Sequence, residues 1–231
     1  MEQERFRIVE SKYLLSAVNP AQMKKDKKKE IAFIGRSNVG KSSLINSLCN
    51  HRGLAMVSRE PGKTRTINYF AIRSRRDLVG GGDARTTEQH WYLVDLPGYG
   101  FAKTSGQNRD TWSQFIADYV ENSKELALMC LLIDLRHPAL PIDAKAYQWL
   151  RSLGMPLQVI GTKADKLNQH DKQKNLQELG RNYPADYPPL LYSSLKHTNR
   201  ERLLGVIETF IDEEEAGNVS LSHGWRHACF R

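Results

Sequence analysis

Cysteine is scarce in this chain. Only Cys49, Cys130 and Cys229 occur in 231 residues, an odd number with no metal-ligand spacing. That usage excludes a disulfide-stapled scaffold and fits a reducing cytosol. Cys130 lies inside an apolar run and reads as plain core. Long apolar runs are missing too, since the longest, residues 126–133, is far too short to span a bilayer. Met1-Glu2-Gln3-Glu4-Arg5 leads into no apolar stretch, so no signal peptide is expected there. The histidines, His51, His90, His137, His170, His197, His223 and His227, show no ligand spacing; His223 and His227 stand four apart, but on a glycine-containing tail. No internal repeat is visible. These absences point to a cytoplasmic protein with no membrane partner.

Charge is present in excess of one sign. Thirty-four Lys and Arg against 26 Asp and Glu leave a net +8, and the pI is about 9.4. Such a balance points to a polyanionic partner and says nothing about fold. Two clusters stand out: Lys24, Lys25, Lys27, Lys28 and Lys29, and Arg73, Arg75 and Arg76. The plain alternative is a solvated, solubilising face.

Apolar runs alternate with amphipathic stretches along the chain. Residues 31–34, 67–72, 91–95, 126–134, 157–162 and 190–192 read as strands. Helices are expected from residue 43 onward and over 108–123, 141–153, 171–181 and 198–214. Trp112, Phe115, Ile116, Tyr119 and Val120 line one face of the second of these. Alternation of this kind predicts an α/β fold of three layers, a mostly parallel six-stranded sheet with helices on both faces. Residues 1–30 read as a lysine-rich lead-in and 31–215 as one domain. A charged hairpin excursion with three consecutive glycines is expected at 73–90, and 216–231 read as a loose tail.

The most telling stretch is Gly35-Arg36-Ser37-Asn38-Val39-Gly40-Lys41-Ser42. It fits the phosphate-binding loop pattern G-x-x-x-x-G-K-[ST], with an apolar strand before it and Ser43-Leu44-Ile45 opening a helix after it. In that setting backbone N–H groups and the helix N-terminus converge on an anion. Lys41 can reach the β- and γ-phosphates, and the Ser42 hydroxyl can ligate Mg²⁺. Asp95-Leu96-Pro97-Gly98 follows a later strand. Asp95 can hold Mg²⁺ through water, and the Gly98 N–H can contact a γ-phosphate. Thr162-Lys163-Ala164-Asp165 follows another strand. Only guanine offers adjacent N1–H and N2–H₂ donors for one carboxylate, here Asp165, while the Lys163 stem can lie on the flat of the base. Ser193-Ser194-Leu195 can offer backbone N–H to guanine O6. Adenine would leave the Asp165 charge unmet, a cost of about 1–3 kcal/mol or more, which argues against an ATPase or small-molecule kinase. These motifs stand in order at strand C-termini, where open α/β sheets bind ligands.

With these residues on view, the chain resembles the Ras-like GTPases of the TrmE-Era class. More narrowly, it resembles the bacterial EngB/YsxC (YihA) family of ribosome-biogenesis GTPases. The resemblance spans about residues 8–212. It rests on residues 35–46, on Pro61-Gly62-Lys63-Thr64, on Asp95-Leu96-Pro97-Gly98-Tyr99-Gly100, on Thr162-Lys163-Ala164-Asp165 and on Ser193-Ser194-Leu195-Lys196. It implies GTP hydrolysis as a switch in assembly of the large ribosomal subunit, with ribosomal RNA and the large subunit as partners, no DNA, and a monomer. Lys41, Thr64 and Gly98 are the implied catalytic set. Thr64 is the implied Mg²⁺-binding switch threonine, with Thr66 as its competitor. The long excursion at 73–90 and the segment His223-Gly224-Trp225-Arg226-His227 fall outside the family's usual pattern.

Two positions complicate the chemistry. Many GTPases place a water-orienting glutamine just after the glycine of D-x-x-G, where this chain has Tyr99. A phenol orients water less well than an amide, so Tyr99 reads as packing or a partner contact and intrinsic turnover is expected on the order of 10⁻⁴–10⁻³ s⁻¹. Asn38 occupies the position at which potassium-stimulated relatives ligate a monovalent cation; a loop-stabilising Asx turn is the alternative. A different reading of the whole chain is an RNA-binding assembly factor that keeps GTP or GDP as a structural ligand.

Overall fold

The central strands are apolar on both faces, and that fixes the layering. The computed structural model describes residues 5–56, 66–78, 85–100 and 106–212. Among them seven strands form one sheet: β1 (Arg5–Ala17), β2 (Glu30–Gly35), β3 (Ile67–Leu78), β4 (Arg85–Asp95), β5 (Leu126–Asp134), β6 (Leu157–Thr162) and β7 (Leu190–Leu191). Their order is β1-β3-β4-β2-β5-β6-β7. Pairing is parallel from β4 through β2, β5 and β6 to β7, and antiparallel on the β4-β3-β1 side. Five helices cover it: α1 (Lys41–Leu48), α2 (Gly106–Asn122), α3 (Pro141–Ser152), α4 (Gln169–Asn182) and α5 (Arg200–Ile211).

Side-chain alternation splits the core in two. Ile31 and Phe33 of β2, with Leu128, Cys130 and Leu132 of β5, pack under α1 and α5. Ala32 and Ile34, with Met129, Leu131 and Ile133, pack under α2, α3 and α4. Strands buried on both sides read as continuous apolar runs, which is why their bounds are legible in the sequence. Cys130 is fully buried core.

The six-stranded expectation is corrected to seven strands. Residues 5–17, read as part of a polar lead-in, are an edge strand antiparallel to β3. Its register skips at Val9 and again at Leu14. Each β-bulge shifts the in–out phase by one residue, so the period-2 signal cancels along Arg5–Ala17. The hairpin expected over 73–90 is present and ladder-paired over its described residues. β3 runs on to Leu78 and β4 begins at Arg85, with Arg73 opposite His90 and Arg76 opposite Thr87.

The arginines of that hairpin are tied to acids. Arg73 reaches Glu10 at 3.1 Å and Glu88 at 3.0 Å. Arg75 pairs with Asp77 at 2.9 Å, and Arg76 with Glu208 at 2.6 Å and with Asp212. They lock β1, β3, β4 and α5 together; in the lysine cluster, Lys24 and Lys28 lie 3.9 and 3.8 Å from Asp26 and Lys29 lies 3.9 Å from Glu125.

Glu30 opens β2 at 2% exposure. Its carboxylate accepts from the Tyr119 hydroxyl at 2.6 Å and the Ser123 hydroxyl at 2.9 Å, tying the C-terminal end of α2 to the strand that feeds the phosphate loop. Burial pushes its pKa up to about 7, against the two hydrogen bonds and with help from the charges of Asp26 and Glu125. A carboxyl whose folded pKa is raised binds more protons folded than unfolded between about 4.5 and 7. Stability should therefore fall as pH rises through that window and level off above it, by about 3 kcal/mol in all. Glu30→Gln should flatten the slope and exceed wild type at pH 8; urea melts at pH 5 and pH 8 measure both.

Candidate functional site

The site grows out of the C-terminal end of β2. After Gly35 the chain enters a loop in which Asn38 (φ 61°) and Gly40 (φ 104°) take the left-handed conformation. Glycine adopts it freely and asparagine tolerates it, and such alternation turns successive N–H groups to one side as an anion nest. Two carbonyls of the loop are held from outside. Val39 accepts from the Thr162 hydroxyl at 2.7 Å, and Asn38 from the Lys163 ammonium at 2.7 Å. With these carbonyls held from outside, and the Ser37 and Val39 N–H groups taken up by the Tyr99 and Arg36 carbonyls, the first turn of α1, Lys41 to Ser43, supplies the open N–H groups of a helix N-terminus.

Asp95 ends β4 and is buried. Lys41 forms an ion pair with it, so the loop lysine and the strand-end carboxylate meet directly. Leu96 and Pro97 follow, both buried. Gly98 lies so close to the loop that a Cβ there would stand 2.9 Å from the Gly35 carbonyl. Tyr99 is stitched on next: its N–H donates to Gly35 at 3.2 Å and its carbonyl accepts from Ser37 at 3.0 Å. The Tyr99 ring is buried, and its hydroxyl donates to Asp143 of α3 at 2.9 Å. Burial first, then the Asp143 carboxylate, pushes its pKa well above 10. A neutral phenol held by Asp143 ties the segment after Gly98 to α3.

At the far side of the loop, Lys163 adopts φ 59° and leads into Asp165. One Asp165 oxygen accepts from the Ser193 hydroxyl at 2.7 Å, which aims the carboxylate; the Ala164 N–H bonds to Tyr192 at 3.2 Å. Ser193 is itself buried and receives the Lys196 N–H at 3.2 Å. Ser194 follows, and Leu195 beyond it is 75% exposed. Thus residues 35–43, 95–98, 162–165 and 193–195 converge at one end of the parallel strands. Pro61, Gly62, Lys63 and Thr64 lie outside the described residues. Thr66 is described, and its hydroxyl donates to Asn68 at 3.0 Å.

Sequence reasoning missed Asp134. It ends β5 at 1% exposure and serves two cations. Arg136 grips it with Nε at 2.9 Å and Nη2 at 2.7 Å, and Lys163 reaches it at 3.0 Å. Burial opposes the charge, but the hydrogen bonds from Arg136 and Lys163 outweigh it and hold the carboxyl well below the usual range. A charge closing an apolar strand was the available signal. Beside it opens a cavity of about 370 Å³, lined by Ser37, Asn38, Arg136 and Lys163 among others. Among the described residues no cluster of three or more His, Cys, Asp or Glu could hold a metal by itself, and no helix is long and apolar enough to cross a membrane.

The family model described as a 50S ribosome-binding GTPase matches residues 30–163. A probable GTP-binding protein EngB of Clostridium kluyveri is 39% identical over 207 residues, covering 89% of this chain and 98% of the relative. The chain belongs to the EngB family of GTPases. The corresponding Chlorobaculum tepidum protein is 42% identical over 185 residues, 80% of this chain and 88% of its own. A crystal structure of a probable GTP-binding protein engB superposes with a TM-score of 0.58 at 25% identity, covering 79% of this chain and 98% of that one. The fold is shared with Era in complex with MgGDPNP and nucleotides 1506–1542 of 16S ribosomal RNA. There the TM-score is 0.63 at 23% identity, over 83% of this chain and 59% of Era.

Within an EngB-type site, base choice should rest on Asp165. Asp165→Asn replaces an acceptor by a mixed donor and acceptor, so guanine should lose and xanthine gain affinity. Competition between GTP and XTP for binding checks this, and an unchanged preference for GTP would sink the assignment.

Proposed function

We propose that this chain hydrolyses GTP to GDP and phosphate as a molecular switch in assembly of the large ribosomal subunit. The observation that supports it best is the convergence of the phosphate loop, the Asp95–Gly98 segment and the Asp165–Ser193 pair at one end of the sheet. Guanine would lie between the Lys163 stem and the open face of Leu195, with its edge on Asp165. Lys41 would turn from Asp95 toward the β- and γ-phosphates. Ser42 at the second position of α1 and Asp95 at the end of β4 are hard oxygen donors that fit Mg²⁺, with Thr64 completing the set in the GTP state. Bound there, the ion neutralises charge on the β- and γ-oxygens. Phosphoryl transfer needs little more than such neutralisation and an aligned water. Tyr99 is occupied by Asp143, which supports slow intrinsic turnover, and the same proposal has ribosomal particles stimulate it.

Asn38 fits a monovalent cation. It is exposed at the loop apex, with its own carbonyl already held by Lys163. Hydrolysis should run faster in KCl than in NaCl at equal ionic strength, and Asn38→Ala should abolish the difference. The same rate in both salts, with large subunits present, would remove the cation from this mechanism.

The lysine cluster supports an RNA contact remote from the nucleotide. Lys24 and Lys28 lie over the Tyr92 ring, 5.7 and 5.3 Å from its centroid, while Lys25 and Lys27 are exposed. The cluster precedes β2 and the phosphate loop follows it, so six strand residues, about 20 Å, separate them. Phosphate contacts release counterions, so binding to large subunits should weaken steeply with salt. Replacing the five lysines by Gln should flatten that log–log slope and leave GTP affinity unchanged, as co-sedimentation and nucleotide titration would show. GTP should tighten binding relative to GDP through the γ-phosphate contacts of the switch segments. Particle binding indifferent to both salt and nucleotide would favour a different role, with GTP as a structural ligand.

A further inference from the structure

The hydrolysis reading sets Lys41, Mg²⁺ and a monovalent cation at Asn38 against the phosphates, and as yet no guanidinium. The transition state spreads negative charge over the γ-phosphoryl oxygens, and an arginine supplied in cis or in trans is a general way to meet it. Two guanidinium groups line the cavity beside the phosphate loop, Arg36 and Arg136. Arg36 is the more confined of the two, with its Nε in an ion-pair contact but no hydrogen bond. Its Nε is buried 3.8 Å from Asp143, and its stem lies where a Cβ on Gly100 would meet it at 3.2 Å. Arg136 is two-fifths exposed and shares the cavity wall with Ser37 and Asn38.

We propose that Arg136 is an arginine finger carried in cis, parked on Asp134 in this state and able to swing across the cavity to the γ-phosphate. Its parking place is built to release it. Asp134 also holds Lys163 at 3.0 Å, so the buried carboxylate stays paired when the guanidinium leaves. The Arg136 backbone N–H bonds to Asp134 at 3.1 Å independently of the side chain, so the loop keeps its shape. In the reaction the water oxygen attacks the γ-phosphorus and the bond to the β–γ bridging oxygen breaks. That oxygen leaves with GDP, and the water's proton passes to an oxygen of the transferred group. Arg136 donates hydrogen bonds to the γ-phosphoryl oxygens and exchanges no proton.

This inference rests on the GTPase reading, and one set of measurements separates the two. Single-turnover GTP hydrolysis is followed for the full chain in NaCl, where potassium at Asn38 cannot substitute. GDP and GDP–aluminium fluoride affinities are measured alongside. Arg136→Ala should lower the rate by about tenfold or more and weaken the fluoride complex by a similar factor, with GDP affinity within about twofold; Arg136→Lys should recover part of the rate. Asp134→Asn, which weakens the parking site while its remaining oxygen still accepts from Lys163, should raise the rate, and adding Arg136→Ala should erase that rise. Arg136→Ala at the wild-type rate would overturn the finger and leave the GTPase reading standing, as would a rise in Asp134→Asn that survives Arg136→Ala. Equal loss of GDP and fluoride-complex affinity would make Arg136 a structural brace. A wild-type chain that binds GTP and never hydrolyses it would overturn both readings.

Discussion

Two hydrogen bonds join the halves of the site. Thr162 and Lys163, at the end of β6, hold the carbonyls of Val39 and Asn38. They reinforce what the left-handed Asn38 and Gly40 and the N-terminus of α1 begin, the presentation of N–H rather than C=O to an anion. The same two residues begin the guanine motif, so the segment that reads the base also shapes the loop that holds the phosphates. Base choice and phosphate binding are mechanically one unit. Asp134 reinforces it by steadying the Lys163 ammonium from below.

Buried carboxylates recur through the structure, and each is accommodated differently. Asp95 is met by the loop lysine, Asp134 by two cations, and Asp143 by a phenol. Glu30 has only hydroxyl donors, and its pKa rises accordingly. The first three connect strand ends and loops around the nucleotide site, where charge can be exchanged with a ligand. Glu30 sits at the opposite pole, where α2 meets β2 and the lysine cluster begins. Its neighbours therefore link the surface proposed for RNA to the helix that follows the Asp95–Gly98 segment.

Much of the fold was legible because the central strands obey a simple rule. Residues 126–134 and 157–162 are apolar on both faces, and their observed bounds match the reading. β1 escaped because its two bulges, at Val9 and Leu14, reset the alternation that marks a half-buried strand. The outer part of the β3–β4 hairpin was legible as a hairpin from its glycines and its charge, but not which acids its arginines meet. That charge is satisfied across strands, by Glu10, Glu88 and Asp77, which no local pattern reveals. The same pairing ties Arg73, Arg75 and Arg76 to neighbouring strands and to the end of α5.

By itself the sequence determined the motifs, their order and their places after strands, because a phosphate loop and a guanine-binding carboxylate need particular atoms at fixed spacing along the backbone. It also determined the layered class, since hydrophobic period follows from local geometry. Only the tertiary structure decided which charges are free. Tyr99 met Asp143, Ser193 met Asp165, and Arg136 met Asp134 next to the loop. Tyr99 and Asp143 stand 44 positions apart, and Ser193 and Asp165 stand 28 apart. Arg136 and Asp134 are near in sequence, but their place beside Asn38 depends on β5 lying against β2. Pairing of that kind is set by the packing of the sheet, which no stretch of residues encodes alone.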